Sequence, residues 1–306
     1  METEQRTKMQ KLRDTLSLIS LEPMIFLQTF TWGLSSVISQ NLIIEKVCRD
    51  LGYSDGICRD IDNHDKEDDE VQTRASELNM YFIVLSALPS IVVALFIGPW
   101  SDKNGRKPVM IIPMIGYILT TLCWLLNIYY MHWPATYLLV MVVFSVFGGM
   151  VVFLIGMYSY IADITSVRAR TARIGILDIF LFAGLPTGTF LSAFVYSSLG
   201  YFGIYGIILC LQIIIVLYIS FVITDTRGPN SDYCYPNSEL DVETRGTVWR
   251  YLSIFDIHQF IDVFKVTFKK REHNLRSVIL ILVSMMLINF TINSTFQNYK
   301  VANKLM

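Results

Sequence analysis

Asp178 lies inside a long apolar run, in Ile176-Leu177-Asp178-Ile179-Phe180. A carboxylate taken out of water has its pKa raised and can carry a proton. The position equally suits a structural acid near a helix end, paired with Arg173 or another basic residue. Uncharged polar groups interrupt other apolar runs at Gln28, Gln212, Asn289 and Asn293. They either line a solute path or hydrogen-bond between helices. Glu22 precedes Pro23 at the mouth of a run; an acid and a proline in the first turn of a helix suit its dipole and its free amides, and Glu22 is otherwise a proton or solute candidate. We find no phosphate-cradling loop, metal-ligand cluster or nucleophilic triad, and the four histidines are scattered over loops. The expectation is therefore no enzyme, no metal, no cofactor and no nucleic-acid partner.

Two charged segments have the spacing of a conformational lock. The first is Gly98-Pro99-Trp100-Ser101-Asp102-Lys103-Asn104-Gly105-Arg106-Lys107-Pro108. Gly105 permits the positive φ that a tight helix reversal needs. Asp102 either pairs with Arg106 across the turn or faces a helix N-terminus, where the dipole favours an anion. With Lys107 these groups would hold one conformation of a rocking protein shut; otherwise the basic residues only anchor topology. The second segment runs from Tyr160 to Arg173. Arg170 and Arg173 have the spacing of one helical face; they either form an inner charge network with Asp163 and Asp102 or only obey the positive-inside rule.

Helices in lipid must position these groups. Hydrophobic residues make up 53% of the 306 and charged residues 17%, below the roughly 25% of a soluble chain. Seven apolar runs reach spanning length, at Leu18–Ile43, Leu78–Trp100, Val109–Tyr130, Tyr137–Tyr158, Ile174–Leu199, Phe202–Ile223 and Ser277–Phe296. Backbone polar groups must be paired internally in lipid, so each run reads as a helix. Most Lys and Arg fall in the N-terminal tail and after the second, fourth and sixth runs, which places those segments in the cytoplasm. The first run is too long for a cleaved signal peptide and should remain as an anchor. The expected organisation is a six-helix bundle over 1–224, a cytoplasmic loop over 225–276 and a seventh helix over 277–306. Within that loop Phe260, Phe264 and Phe268 beside Lys265, Lys269 and Lys270 predict an amphipathic helix on the inner membrane surface.

Six helices, a long loop and further helices is the plan of a transporter built from two halves. The loop from Gly98 to Pro108 resembles the signature of the major facilitator superfamily. Leu21-Glu22-Pro23, the stretch from Asn41 to Arg49, and Tyr160 to Arg173 narrow the resemblance to solute carrier family 46, which includes the proton-coupled folate transporter. The resemblance implies an all-α, twelve-helix membrane fold of which this chain holds the N-terminal six-helix bundle and one further helix, so the chain looks truncated after helix seven. It implies secondary active transport of a small organic solute, often an anion, with protons, at the plasma membrane or a lysosomal or endosomal membrane. Asp178 matches a family position holding a glutamate linked to proton coupling. Asn289 stands where the folate transporter has a histidine, a departure that weakens the case for folate. The alternative is a non-transporting membrane protein that regulates or assembles with a full-length relative.

Gly148, Gly149, Gly156, Gly184 and Gly188 predict close backbone approaches, and Pro186 predicts a kink. Cys48 and Cys58 share the predicted outer loop, where an oxidising compartment favours a bridge; the family resemblance implies instead a partner beyond span seven. Sequons at Asn289 and Asn293 fall inside a predicted span and should be inaccessible.

Overall fold

The computed structural model describes residues 21–59 and 65–226. The seventh span, the amphipathic segment, Asn289, Asn293 and most of the inter-bundle loop lie outside the described residues. Helices α1 (Glu22–Asp50), α2 (Asp55–Arg59), α3 (Asp65–Asn104), α4 (Lys107–Tyr129), α5 (Gly149–Ile164) and α6 (Val167–Val222) are joined by a 3₁₀ segment, Ala135–Phe147, ahead of α5. There is no strand among the described residues.

α6 would run about 80 Å if straight, far more than a bilayer core. It reverses at Gly200, whose φ of 63° and ψ of −168° are its only non-helical backbone angles. Helical dihedrals continue through Pro186, and the reversal falls at Gly200, between the predicted runs Ile174–Leu199 and Phe202–Ile223. The reversal is visible in the packing, because Leu177 from before the break and Ile215, Ile219 and Ile223 from after it share one core cluster.

That cluster also holds Met24, Ile25, Met110, Met157 and Ile161 and marks one end of the bundle. A second cluster holds Ile43, Val47, Val71, Ala75, Trp124, Leu138, Ile204 and Tyr205 and marks the other. Each pass of the chain connects the two ends in alternation. The sides exposed to the surroundings are apolar, as at Phe182, Phe190 and Phe221. Four stretches, Asp69–Asp102, Lys107–Tyr129, Ala135–Ile164 and Arg168–Val222, are long and apolar enough to cross a membrane.

α1 is not among them. Thr29, Thr31, Ser35, Ser36 and Ser39 dilute its hydropathy, and each returns its hydroxyl to a carbonyl one turn back. The helix packs centrally, so its polar content is covered by neighbours. It also outruns the predicted Leu18–Ile43 and ends at Asp50. Its contact with α6 is backbone on backbone: a Cβ on Gly33 would lie 2.9 Å from the Thr189 amide nitrogen and 3.0 Å from Gly188 Cα.

At the far end of α1, Cys48 is bridged to Cys58 with Cα atoms 5.6 Å apart. The structure thus joins the two outer-loop cysteines to each other. Arg49 pairs there with Glu45 at 2.9 Å and Asp55 at 3.1 Å. Lys46 is buried and donates to Asn127 Oδ1 at 3.1 Å and to the Trp133 carbonyl at 3.3 Å. Burial holds its ammonium below the ordinary lysine value, opposed by the nearby Asp50 carboxylate.

The predicted fourth span, Tyr137–Tyr158, is not one α-helix. Gly148 and Gly149 have φ of 87° and 53°, and they separate the 3₁₀ segment from α5. A left-handed pair suits glycine, so here the glycines break a helix where packing alone was expected. Gly156 does mediate close approach, to Val109 and Met110 of α4.

Candidate functional site

Three helix ends and the segment after α6 meet around Arg106. Its side chain is nearly buried, and it bonds in three directions. Nε donates to Asp163 Oδ2 at 2.9 Å, Nη2 donates to Asp102 Oδ1 at 2.5 Å, and Nη1 donates to the Ser101 hydroxyl. Asp102 sits four residues before Arg106, whereas Asp163 comes from the end of α5 and ties the α3–α4 hairpin to a different hairpin. A planar guanidinium can hold several acceptors at fixed angles, which lysine cannot.

The expected membership of this network needs correction. Arg170 donates to the Ala162 carbonyl at 2.7 Å, and Arg173 lies 3.4 Å from Glu22. Neither is paired with Asp163 or Asp102. The physical reason is reach: the turn at Thr165-Ser166 places Arg170 beside the free carbonyls at the end of α5, and Arg173, a turn further along α6, faces the start of α1. Glu22 is 1% exposed and also accepts from the Leu21 amide at 3.1 Å. It therefore joins two helices besides acting at a helix start.

Asp225 completes the arrangement. Its Oδ1 accepts from the Arg106 amide at 2.8 Å and lies 3.4 Å from the Lys107 amide. A carboxylate on the first amides of α4 satisfies unpaired donors and matches the helix dipole. Gly105 has φ of 106°, and a Cβ there would collide with the Asp225 carboxylate. Thr226 donates to Asp163 at 3.3 Å, and Lys107 Nζ donates to the Ser220 carbonyl at 2.6 Å. Gly98, at the head of the motif, has open space where a Cβ would stand, and its carbonyl accepts from Ser101. Asp225→Ala should lower the stability of the detergent-purified chain by about 1 kcal/mol, the loss of one helix cap. Gly105→Ala should cost more, because it meets both strain and collision, roughly 1–3 kcal/mol for the backbone alone. Thermal unfolding of both variants checks the order.

Asp178 accepts a hydrogen bond from the Tyr158 hydroxyl at 2.5 Å, which links α5 to α6. Arg173, the alternative partner expected from sequence, is occupied by Glu22.

Midway between the two ends lies a cavity of about 500 Å³. α1, α3, α4, the 3₁₀ segment, α5 and the second half of α6 all contribute to its wall. Aromatic faces come from Trp32, Phe82, Trp124 and Phe144, with Trp124 stacked on Tyr205 at 5.4 Å. Gln212 accepts from Thr121 at 2.9 Å, which makes it an interhelical tie. Gln28 and Tyr205 also line the cavity, and both are almost fully buried. The Gln28 Oε1 and the Tyr205 hydroxyl have no hydrogen-bond partner. No ionisable acid, lysine, arginine or histidine lines it among the described residues. Sequence reasoning flagged Gln28 but missed Tyr205, because a tyrosine inside an apolar run reads as core. It also missed Asp225, which no spacing rule connects to Arg106.

A helical bundle with alternating passes, an apolar outer surface and a charged reversal at one end is the architecture of a multi-pass integral membrane protein. Residues 18–303 match the Major Facilitator Superfamily model, and the chain belongs to that family. It is similar to the lysosomal proton-coupled steroid conjugate and bile acid symporter of Gallus gallus, 29% identical over 222 residues, which is 67% of this chain and 47% of the relative. Against the probable peptidoglycan muropeptide transporter of Drosophila melanogaster identity is 26% over 197 residues, 60% of this chain and 38% of the relative. Against the proton-coupled folate transporter of Bos taurus it is 25% over 210 residues, 67% and 46% of the two chains. The chain spans about half the length of the curated relatives it matches.

Proposed function

We propose that this chain is part of a secondary active transporter that moves a small organic solute together with protons by alternating access. The observation that carries the reading is the Arg106 junction. One guanidinium closes an end of the bundle by binding carboxylates from two helix hairpins, beyond a cavity of solute size. Pockets of roughly 300–1,000 Å³ hold small organic molecules. Ion pairs that join separate helices are suited to an element with two discrete arrangements, since both partners must be released together for the end to open. The bundle end carrying Arg106 is the cytoplasmic one in this reading, because it collects the basic residues that favour that side. Membership of the superfamily and similarity to three proton-coupled or muropeptide carriers support solute transport over catalysis. Steroid conjugates, bile acids, folates and muropeptides are the classes to test first. The membrane would be the plasma membrane or a lysosomal or endosomal one.

Asp178 is the proton carrier in this scheme. The Tyr158 hydroxyl gives its carboxylate one fixed donor, and protonation would weaken that charge-assisted bond and loosen α5 from α6. Uptake of those four solute classes should be measured at acidic and neutral pH in cells expressing the longest open frame containing these 306 residues. Uptake favoured by acid is expected, and Asp178→Asn should flatten its pH dependence while surface expression persists. An unchanged pH profile in that variant removes Asp178 from the mechanism. No uptake of any class at either pH counts against transport itself.

A further inference from the structure

The 3₁₀ segment in the cavity wall is unusually long. Runs of this helix beyond about three or four residues are uncommon, because its hydrogen bonds are poorly aligned and side chains three apart eclipse. Ala135–Phe147 holds the form for 13 residues. Its burial repeats every three residues to match: Ala135, Leu138 and Met141 are buried, whereas Tyr137, Val140, Val143 and Val146 are exposed. An α-helix could not keep these rows, since positions three apart drift by about 60° per step.

Both ends of the segment are held. At its start Asp50 Oδ2 accepts from the Ala135 amide at 2.6 Å, and Lys46 donates to the Trp133 carbonyl at 3.3 Å. At its finish the Gly148 amide bonds back to the Ser145 carbonyl at 2.9 Å, and the Ser90 hydroxyl donates to that same carbonyl at 3.2 Å. The left-handed pair Gly148 and Gly149 then uncouples the segment from α5. Every residue from Ala135 to Phe147 is uncharged, so each of its rows can meet lipid without stranding an ion there. A stretch of 3₁₀ within a helix often marks a hinge.

We propose that Ala135–Phe147 is a convertible wall of the cavity, 3₁₀ in the present arrangement and α in a second one. An α-helix advances about 1.5 Å and turns about 100° per residue, against about 2.0 Å and 120° here. With Ala135 held by Asp50, conversion draws Phe147 back by about 6 Å and turns Phe144 by about 180°. Phe144 lines the cavity in the present form. It would swing to the lipid side, and Val146 would arrive near its place. The cavity would thereby exchange an aromatic surface for a smaller aliphatic one.

Oxygen accessibility of single nitroxides at positions 136–146 tests this. The 306-residue chain is used in lipid nanodiscs, with Cys123→Ala, Cys210→Ala and Cys234→Ala and the Cys48–Cys58 bridge kept. The otherwise unaltered segment should peak at 137, 140, 143 and 146. Gly148→Ala is the first bias: at φ of 87° its Cβ would collide with the Val152 side chain, a clash tied to the present form. In that variant accessibility should rise at 141 and 144 and fall at 143 and 146, with a period near 3.6. Gly149→Ala combined with Ser90→Ala is the second bias. It adds left-handed strain without collision and removes the bond to the Ser145 carbonyl, and it should favour the α form roughly fiftyfold. If Gly148→Ala does not fold, this second variant decides alone. Gly175→Ala, with nothing within 4 Å of its Cβ, should leave the three-residue pattern intact. A period near 3.6 in the unaltered segment overturns the proposal, and so does a three-residue period that neither bias moves. The readout is the geometry of this wall, so it stands or falls separately from solute transport.

Discussion

Gly184→Leu is expected to eliminate nearly all of the folded chain. α1 and α6 approach so closely that a Cβ at Gly184 would lie 2.7 Å from the Phe26 carbonyl oxygen and 3.0 Å from the Phe30 amide nitrogen. At Gly188 the corresponding obstacles are the Leu34 amide at 2.9 Å and Gly33 Cα at 3.1 Å. These neighbours are main chain, so no rotamer change relieves the clash. Between helices in lipid, close packing of small residues replaces the hydrophobic effect as the main attraction. Overpacking a core typically costs about 1–3 kcal/mol, and a leucine against two backbones lies at or above the top of that range. The monodisperse peak in detergent size-exclusion chromatography should fall roughly tenfold or more. Gly206→Leu is the matched control, since nothing lies within 4 Å of its Cβ position. Equal profiles for the two variants would show that the crossing is not as close as described.

Arg106→Ala has the second largest expected effect. The guanidinium is 7% exposed and Asp163 13% exposed, so its loss strands a carboxylate in poorly hydrated surroundings. Removing one partner of a buried pair costs about 3–5 kcal/mol, much of it the penalty of the orphaned charge. The chain should therefore unfold at clearly lower temperature. Asp163→Asn added to Arg106→Ala should restore part of that loss, because it removes the stranded charge. A double-mutant cycle isolates this coupling. Strictly additive effects would mean that Arg106 and Asp163 do not interact energetically. Arg106→Lys should behave closer to alanine than to arginine, since one ammonium cannot reproduce three directed bonds.

Much of the architecture was legible before any coordinates, and for a physical reason. Lipid demands long apolar helices, and insertion sorts Lys and Arg to one side. The Asp102–Arg106 pair was legible too, because residues four apart on a helix or turn are neighbours. What escaped was set by tertiary geometry. Asp225 reaches Arg106 across more than a hundred residues, and no local pattern encodes that contact. Gly148 and Gly149 looked like packing residues, because a glycine in a span does not reveal whether its φ is positive. α1 shows the reverse difficulty. Its serines and threonines lower its hydropathy, yet burial in the bundle centre and bonds to its own carbonyls accommodate them. Arg170 and Arg173 have the three-residue spacing of one helical face, but a face does not specify which acceptor each side chain meets, and the two meet the Ala162 carbonyl and Glu22.

Asp225 and Thr226 have a mechanical consequence. Both belong to the stretch leaving α6, and both grip the junction that the fourth helix and the fifth helix form with Arg106. Tension on the polypeptide downstream of Thr226 is thus delivered to the amino end of α4 and to Asp163 at once. A displacement of these two residues therefore disturbs the start of α4 and the end of α5 together.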